Sequence, residues 1–151
     1  MMISTRGRYA LRVMIELAEH YHDGYTPMKM IAKSQNISLK YLEQILPSLT
    51  KNAMIEGLQR KGGGYKLTNE PSAYRVGDIL RVTEGDLAPV ACLSCDAKIC
   101  ERAGSCRTLP MWTEFHKMTN DYFDSITLAD FMKQTINDKT NNGMQENEKI
   151  L

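Results

Sequence analysis

Apolar residues recur at helical spacing through the first fifty positions. Ala10, Met14, Leu17, Ala18 and Tyr21 form one stripe, which predicts a first helix opened by Ser4 and Thr5 and running to about His20. Asp23-Gly24 breaks it. Thr26-Pro27 then reads as an N-cap followed by proline at the first helical position, opening a short helix to about Lys33. Asn36 falls in the turn, and Ser38 caps a third helix whose inward face is Leu42, Ile45, Leu46 and Leu49. Pro47 lacks a backbone donor and is expected to kink or weaken that helix. Two short strands follow, Ile55 to Arg60 and Tyr65 to Leu67, joined by the glycine-rich turn Lys61-Gly62-Gly63-Gly64. A further helix is predicted from Val76 to Glu84, closed by Gly85.

Beyond Gly85 the pattern changes. Residues 86–107 show neither a helical nor a strand period. Thr108, with Pro110 in the first turn, then opens a long helix. Trp112, Phe115, Met118, Thr119, Tyr122, Phe123 and Ile126 recur along it at three- and four-residue steps. So apolar a helix outside a small domain needs a partner surface, most simply its symmetry mate. Thr127-Leu128-Ala129-Asp130 resembles the capping box of a last helix, with Phe131 and Met132 on its apolar side. From about Asn137 the chain is rich in Asn, Lys and Glu and reads as a disordered tail.

The expected fold class is therefore mainly α, with four parts. A winged helix-turn-helix domain with a small β-hairpin wing spans 1–85, and a cysteine-rich cofactor loop spans 86–107. A long dimerisation helix and a short C-terminal helix occupy 108–136, and the tail covers 137–151.

The polar faces point to a partner. Lys40, Tyr41, Gln44 and Ser48 project from one side of the third helix, close to Ser38 at its start. Cationic, amide and hydroxyl groups there suit phosphate oxygens and base edges in a major groove. Arg60 and Lys61 at the hairpin tip would face the DNA backbone or minor groove. No Gly-Lys-Ser/Thr follows the glycine run, which argues against a nucleotide phosphate loop.

Charge supports this once it is divided. The net charge of 151 residues is only +1, but residues 1–75 hold 11 Lys/Arg against 6 Asp/Glu and residues 76–151 hold 8 against 12. A basic N-terminal half fits a polyanion such as double-stranded DNA. No window is apolar enough to span a bilayer, and Arg6, Arg8, Arg12 and Glu16 exclude a signal peptide at the first helix. The expected location is cytoplasmic. The spacings contain no Ser/His/Asp set and no converging carboxylates, so catalysis is not expected.

All four cysteines fall within fifteen residues, as Cys92-x2-Cys95-x4-Cys100-x5-Cys106. Clustered thiols in a cytosolic chain point to metal binding or redox chemistry. Four thiolates suit an iron–sulfur cluster and tetrahedral zinc about equally by ligand type, and a disulfide-based thiol switch is a third option. Lys98, Arg102 and Arg107 would stabilise the thiolates.

Taken together, Ile3-Ser4-Thr5-Arg6-Gly7-Arg8-Tyr9-Ala10, Ile37-Ser38-Leu39-Lys40-Tyr41-Leu42-Glu43-Gln44, Gly63-Gly64-Tyr65 and Asp78-Ile79-Leu80 with Glu84-Gly85 resemble the Rrf2 family of bacterial winged-helix transcriptional regulators. The resemblance covers about residues 2–135. It implies a homodimer with paired winged helices and a long crossing helix, the recognition helix in the major groove and the wing tip in the minor groove. The cluster-binding branch of that family carries three cysteines before a Trp-containing helix. Cys100-x5-Cys106 followed by Trp112 matches the last two, while Cys95 or Cys92 takes the displaced first place. The histidine that is fourth ligand in that branch corresponds to Leu109, and an acidic ligand of other members corresponds to Arg8. The extra cysteine would then complete an all-thiolate site for a [2Fe-2S] or [4Fe-4S] cluster, with zinc as the alternative. The family's wing arginine corresponds to Gln59, so Arg60 or Lys61 would stand in for it. The implied function is a repressor controlled by its cluster. The alternative is a regulator of the same fold that senses through a partner protein, a metabolite, zinc or thiol oxidation.

Overall fold

The computed structural model describes residues 2–133, so the tail expected from 137 onward lies outside the described residues. Within them, α1 (Thr5–Glu19), α2 (Met28–Gln35) and α3 (Leu39–Lys51) lead into an antiparallel hairpin of β1 (Ile55–Leu58) and β2 (Gly64–Leu67). Then come α4 (Val76–Glu84), an irregular segment, α5 (Leu109–Asp124) and α6 (Leu128–Met132). This is the mainly α winged helix-turn-helix architecture expected, with one additional long helix.

The helix starts are set by side chains that capture orphan N–H groups. Ser4 Oγ accepts from the Gly7 N–H and Ser38 Oγ from the Tyr41 N–H. The α2–α3 turn is made by Asn36 in the left-handed region at φ 51°, where a short polar side chain is tolerated. Ala10, Val13, Met14 and Leu17 of α1, Ile31 of α2, and Leu42, Ile45, Leu46 and Leu49 of α3 pack as one core with Ile55 and Leu67 of the hairpin. Each such Leu or Ile contributes roughly 1.5–3 kcal/mol through burial. Leu128 of α6 is buried in the same core. Glu16, also buried, is satisfied by Ser34 Oγ at 2.7 Å and Gln35 Nε2 at 2.6 Å.

Several expectations are corrected. Thr26 is not an N-cap: Pro27 occupies that position without a side-chain bond, and α2 runs on to Gln35. Thr26 instead exchanges both backbone hydrogen bonds with Tyr65, at 2.8 and 2.9 Å. The wing is thereby anchored to the segment before α2. The first strand stops at Leu58, because the chain must turn through Gln59 to Gly63. Pro47 lies inside α3, as expected, and is exposed; the helix runs from Leu39 to Lys51. Thr108 precedes α5 but makes no side-chain cap bond to it. Thr127 does form the capping box, its N–H and Oγ both donating to Asp130 Oδ2 at 2.8 and 2.9 Å.

Gly64 explains part of the glycine run. Its φ is +153°, and a Cβ there would run into the Thr26 carbonyl. Gly64→Ala is therefore expected to cost on the order of 2 kcal/mol through backbone strain and a broken wing anchor. A lowered urea midpoint with an unchanged m-value would show it. The same substitution at Gly62, whose added Cβ would meet nothing, should cost less.

Candidate nucleic-acid interface and cysteine loop

Two structural units carry the residues singled out by sequence. The first is the exposed side of α3 with the hairpin tip. Ser38, Lys40, Gln44, Arg60 and Lys61 are all exposed, and Tyr41 is half-buried. Tyr41 stands edge-on to Tyr9 of α1, with ring centroids 5.2 Å apart. Ser48 does not belong to this face: its hydroxyl donates to the Val82 carbonyl at 3.2 Å and ties α3 to α4.

Sequence reasoning about this face missed α1. Arg6 donates to the Gln44 backbone carbonyl at 3.4 Å. The Arg12 guanidinium lies over the Tyr9 ring, 5.3 Å from its centroid, and donates to the side chain and backbone carbonyl of Gln35. Exposed arginines of α1 thus lie beside α3 and the end of α2. Their signal was present as Arg6, Arg8 and Arg12 in one helix, which sequence alone did not connect with the α3 face.

The second unit joins α4, the cysteine loop and α5. Asp86, which follows α4, accepts from the N–H groups of Ala88 at 2.8 Å and Cys95 at 2.9 Å. Partial burial alone would push its carboxyl up. The Cys95 and Ala88 N–H groups, the Ser94 hydroxyl and the charge of His116 outweigh this and hold it below the usual carboxylate range. Cys106 sits at the foot of α5 with Sγ 3.4 Å from Thr108 Oγ1. The Thr108 hydroxyl and N–H lower its thiol below the ordinary value, opposed by burial and helped to a lesser extent by the Leu109 N–H and Arg102.

The four cysteines are free, three of them exposed and Cys106 half-buried. Among the described residues no three His, Cys, Asp or Glu side chains stand close enough to hold a metal ion. The loop as folded therefore does not gather its sulfurs around one point. By donor chemistry the set still fits an iron–sulfur cluster or zinc, since four thiolates on one short, largely exposed segment are what either requires.

From α4, links run in three directions. Arg81 Nη2 lies 2.8 Å from both carboxylate oxygens of Asp124 and 2.9 Å from Asn120 Oδ1 on α5, while Nη1 meets Asp78 at 3.0 Å. Gly77 makes room for this, because a Cβ there would collide with Asp124. Glu84 Oε1 accepts from Ser4 N–H at 3.0 Å and Ser4 Oγ at 2.7 Å, reaching the start of α1. Val82 reaches α3 through Ser48. The end of α5 and the turn after it also dock here, with Phe123 and Ile126 against Val76, Leu80 and Leu87.

The opposite side of α5 is bare. Met111, Phe115, Met118 and Tyr122 recur at helical spacing and are 56%, 44%, 61% and 63% exposed. No residue of α5 is buried.

Residues 3–134 match the family model Rrf2, described as an iron-dependent transcriptional regulator. The chain belongs to the Rrf2 family. It is 38% identical over 135 residues to the HTH-type transcriptional regulator CymR of Bacillus subtilis, covering 89% of this chain and 92% of that one. The solved structure of B. subtilis CymR, titled the global cysteine regulator of that organism, superposes with a TM-score of 0.73 at 36% identity, over 89% and 98% of the two chains. The T. potens IscR structure superposes at 0.69 with 34% identity, over 89% and 88%. The HTH-type regulator IscR of Yersinia pestis is 31% identical over 132 residues, covering 87% of this chain and 79% of its own. This Rrf2 protein is accordingly a DNA-binding transcriptional regulator, a class without enzymatic activity. No helix among its described residues is long and apolar enough to cross a membrane.

Proposed function

We propose that this Rrf2 chain is a homodimeric repressor. It reads duplex DNA with α3 and the hairpin tip, and its operator affinity is set by an iron–sulfur cluster held by the cysteine loop. In this reading residues 1–85 are the reader, 86–107 the sensor, and 108–136 the dimerisation segment. The observation that carries it is the position of the loop. It is tied to the end of α4 through Asp86 and Cys95, and to the foot of α5 through Cys106 and Thr108, so a change in the loop reaches both elements.

Lys40, with Arg60 and Lys61, would neutralise phosphates, while Ser38, Tyr41 and Gln44 would meet phosphates and base edges. Arg6 extends that cationic surface. The bare stripe of α5 would pair with its symmetry copy, placing two α3 helices in successive major grooves about 34 Å apart. Cys92, Cys95, Cys100 and Cys106 would hold the cluster, which when bound supplies an iron centre sensitive to oxidants and to small iron ligands. Because the loop does not preassemble these thiolates, drawing them together must rearrange it. Site formation and loop conformation are then one equilibrium. Coupling of ~1–3 kcal/mol to DNA binding would suffice for regulation.

Anaerobic purification with assays for iron, sulfide and zinc, and a visible spectrum, tests the cofactor. A brown protein with iron and sulfide in equal amounts supports the cluster. Zinc alone replaces it with a structural or thiol-sensitive site. A colourless, metal-free protein favours sensing through thiol oxidation, a metabolite or a partner protein. The likeness to CymR, the global cysteine regulator of B. subtilis, and the dispersed thiols favour that second reading.

A further inference from the structure

The loop does not treat its four cysteines alike. Cys92 lies in a short 3-10 turn, Ala91–Leu93, and the chain then reverses through Ser94–Ala97, with the Ala97 N–H donating to the Ser94 carbonyl at 3.0 Å. Cys95 sits inside that reversal, its backbone held by Asp86. Cys92 and Cys100 flank it and line one cavity of about 400 Å³, together with Lys98, Ala103 and Leu109. Two further turns, Ala103 N–H to Cys100 carbonyl and Ser105 N–H to Arg102 carbonyl, carry the chain away. Cys106 consequently lines a different cavity, with Arg102, Ser105 and Arg107.

We infer that Cys92 and Cys100 are a dithiol pair that closes to an intramolecular disulfide on reaction with a low-molecular-weight disulfide, with Cys95 and Cys106 outside the bond. The inference deepens the sensor reading of this loop and rests on it only for its regulatory consequence. Both thiols are exposed, and Lys98 places a cation in the wall they share. One thiolate attacks a sulfur of the small disulfide, breaking its S–S bond and releasing the first small thiol. The second cysteine then attacks the protein sulfur of that mixed disulfide and releases the second. Two protein thiols lose two electrons and two protons, and the small disulfide leaves as two thiols. The bond would pin 92 to 100 across the reversal and restrict the loop between α4 and α5.

Trypsin makes the test direct, because cleavage after Arg81, Lys98, Arg102 and Arg107 puts Cys92 with Cys95, Cys100, and Cys106 on three separate peptides. The full-length, metal-free protein is incubated with glutathione disulfide, its remaining thiols are alkylated, and the digest is analysed by mass spectrometry. The expected product joins peptides 82–98 and 99–102 and is two hydrogens lighter than their sum, with Cys106 on its own peptide, alkylated or carrying glutathione. Cys95→Ser should keep this link and Cys92→Ser should abolish it. A dominant link to Cys106, loss of the link in Cys95→Ser, or no link under excess oxidant overturns the pairing. If the link forms and operator affinity is unchanged, the pairing stands and the sensor role of the loop fails.

Discussion

Replacing Phe115 and Met118 together by glutamate is expected to convert the protein to a monomer and to weaken operator binding by at least about 100-fold. Both side chains lie on the bare stripe of α5, between Met111 and Tyr122. Two buried carboxylates facing their own symmetry copies would be unpaired and like-charged, each costing several kcal/mol. Their removal from the stripe should leave the reader folded, because the core of Ala10, Met14, Leu46 and Ile79 makes no use of either residue. Light scattering should show the mass halved while the far-ultraviolet dichroism per residue changes little. A double variant that remains dimeric would mean that the two copies meet elsewhere. The affinity loss follows from the proposed dimer: each α3 would contact one half-site, and the tethered second would contribute by effective concentration rather than by new chemistry.

The second large effect is expected at Gln44. Its amide is exposed on α3, within reach of Arg6, which touches its backbone carbonyl. A side-chain amide can donate and accept at once, which suits an adenine edge, and such a pair is worth ~1–3 kcal/mol of discrimination. Gln44→Ala should therefore lower affinity for the selected operator by roughly 10- to 100-fold while changing binding to random duplex little. Lys40→Ala should behave differently. It should weaken both nearly equally and, with one Lys40 lost from each protomer of the proposed dimer, reduce the dependence of log affinity on log salt by about two units. Fluorescence anisotropy against the two duplexes over a salt series separates these outcomes. Equal losses on both duplexes for Gln44→Ala would reassign it to the DNA backbone.

Much of the fold was legible because its signals are local. Ser4 and Ser38 cap helices within three residues, Gly85 ends α4, and Thr127 pairs with Asp130 in one turn. The inward face of α3 follows from spacing alone. What sequence could not show depends on distant partners. Thr26 looks like a cap beside Pro27, yet Tyr65 captures its backbone. Ser48 shares a helical face with Lys40 and Gln44, but α4 docks where it points. Arg6 and Arg12 acquire meaning only when α1 lies beside α3. In α5 the apolar stripe was evident, but not its end at Asp124 or its division: Phe123, and Ile126 in the turn beyond, pack against α4, whereas Phe115 and Met118 stay bare. The cysteine spacing identified the sulfur-rich loop and the kinds of chemistry open to it. It could not specify which sulfurs approach one another, because that depends on turns held by Asp86 and by backbone bonds of the loop itself.

If the cysteine loop governs the grip on DNA, anaerobically prepared wild-type protein and a variant with Cys92, Cys95, Cys100 and Cys106 all changed to serine should bind the operator differently at one salt concentration and equal dimer fraction. Their dissociation constants should differ by about 10-fold or more, with the variant no longer responding to oxidant or chelator. Identical affinities under every condition would show that the loop has no part in DNA binding.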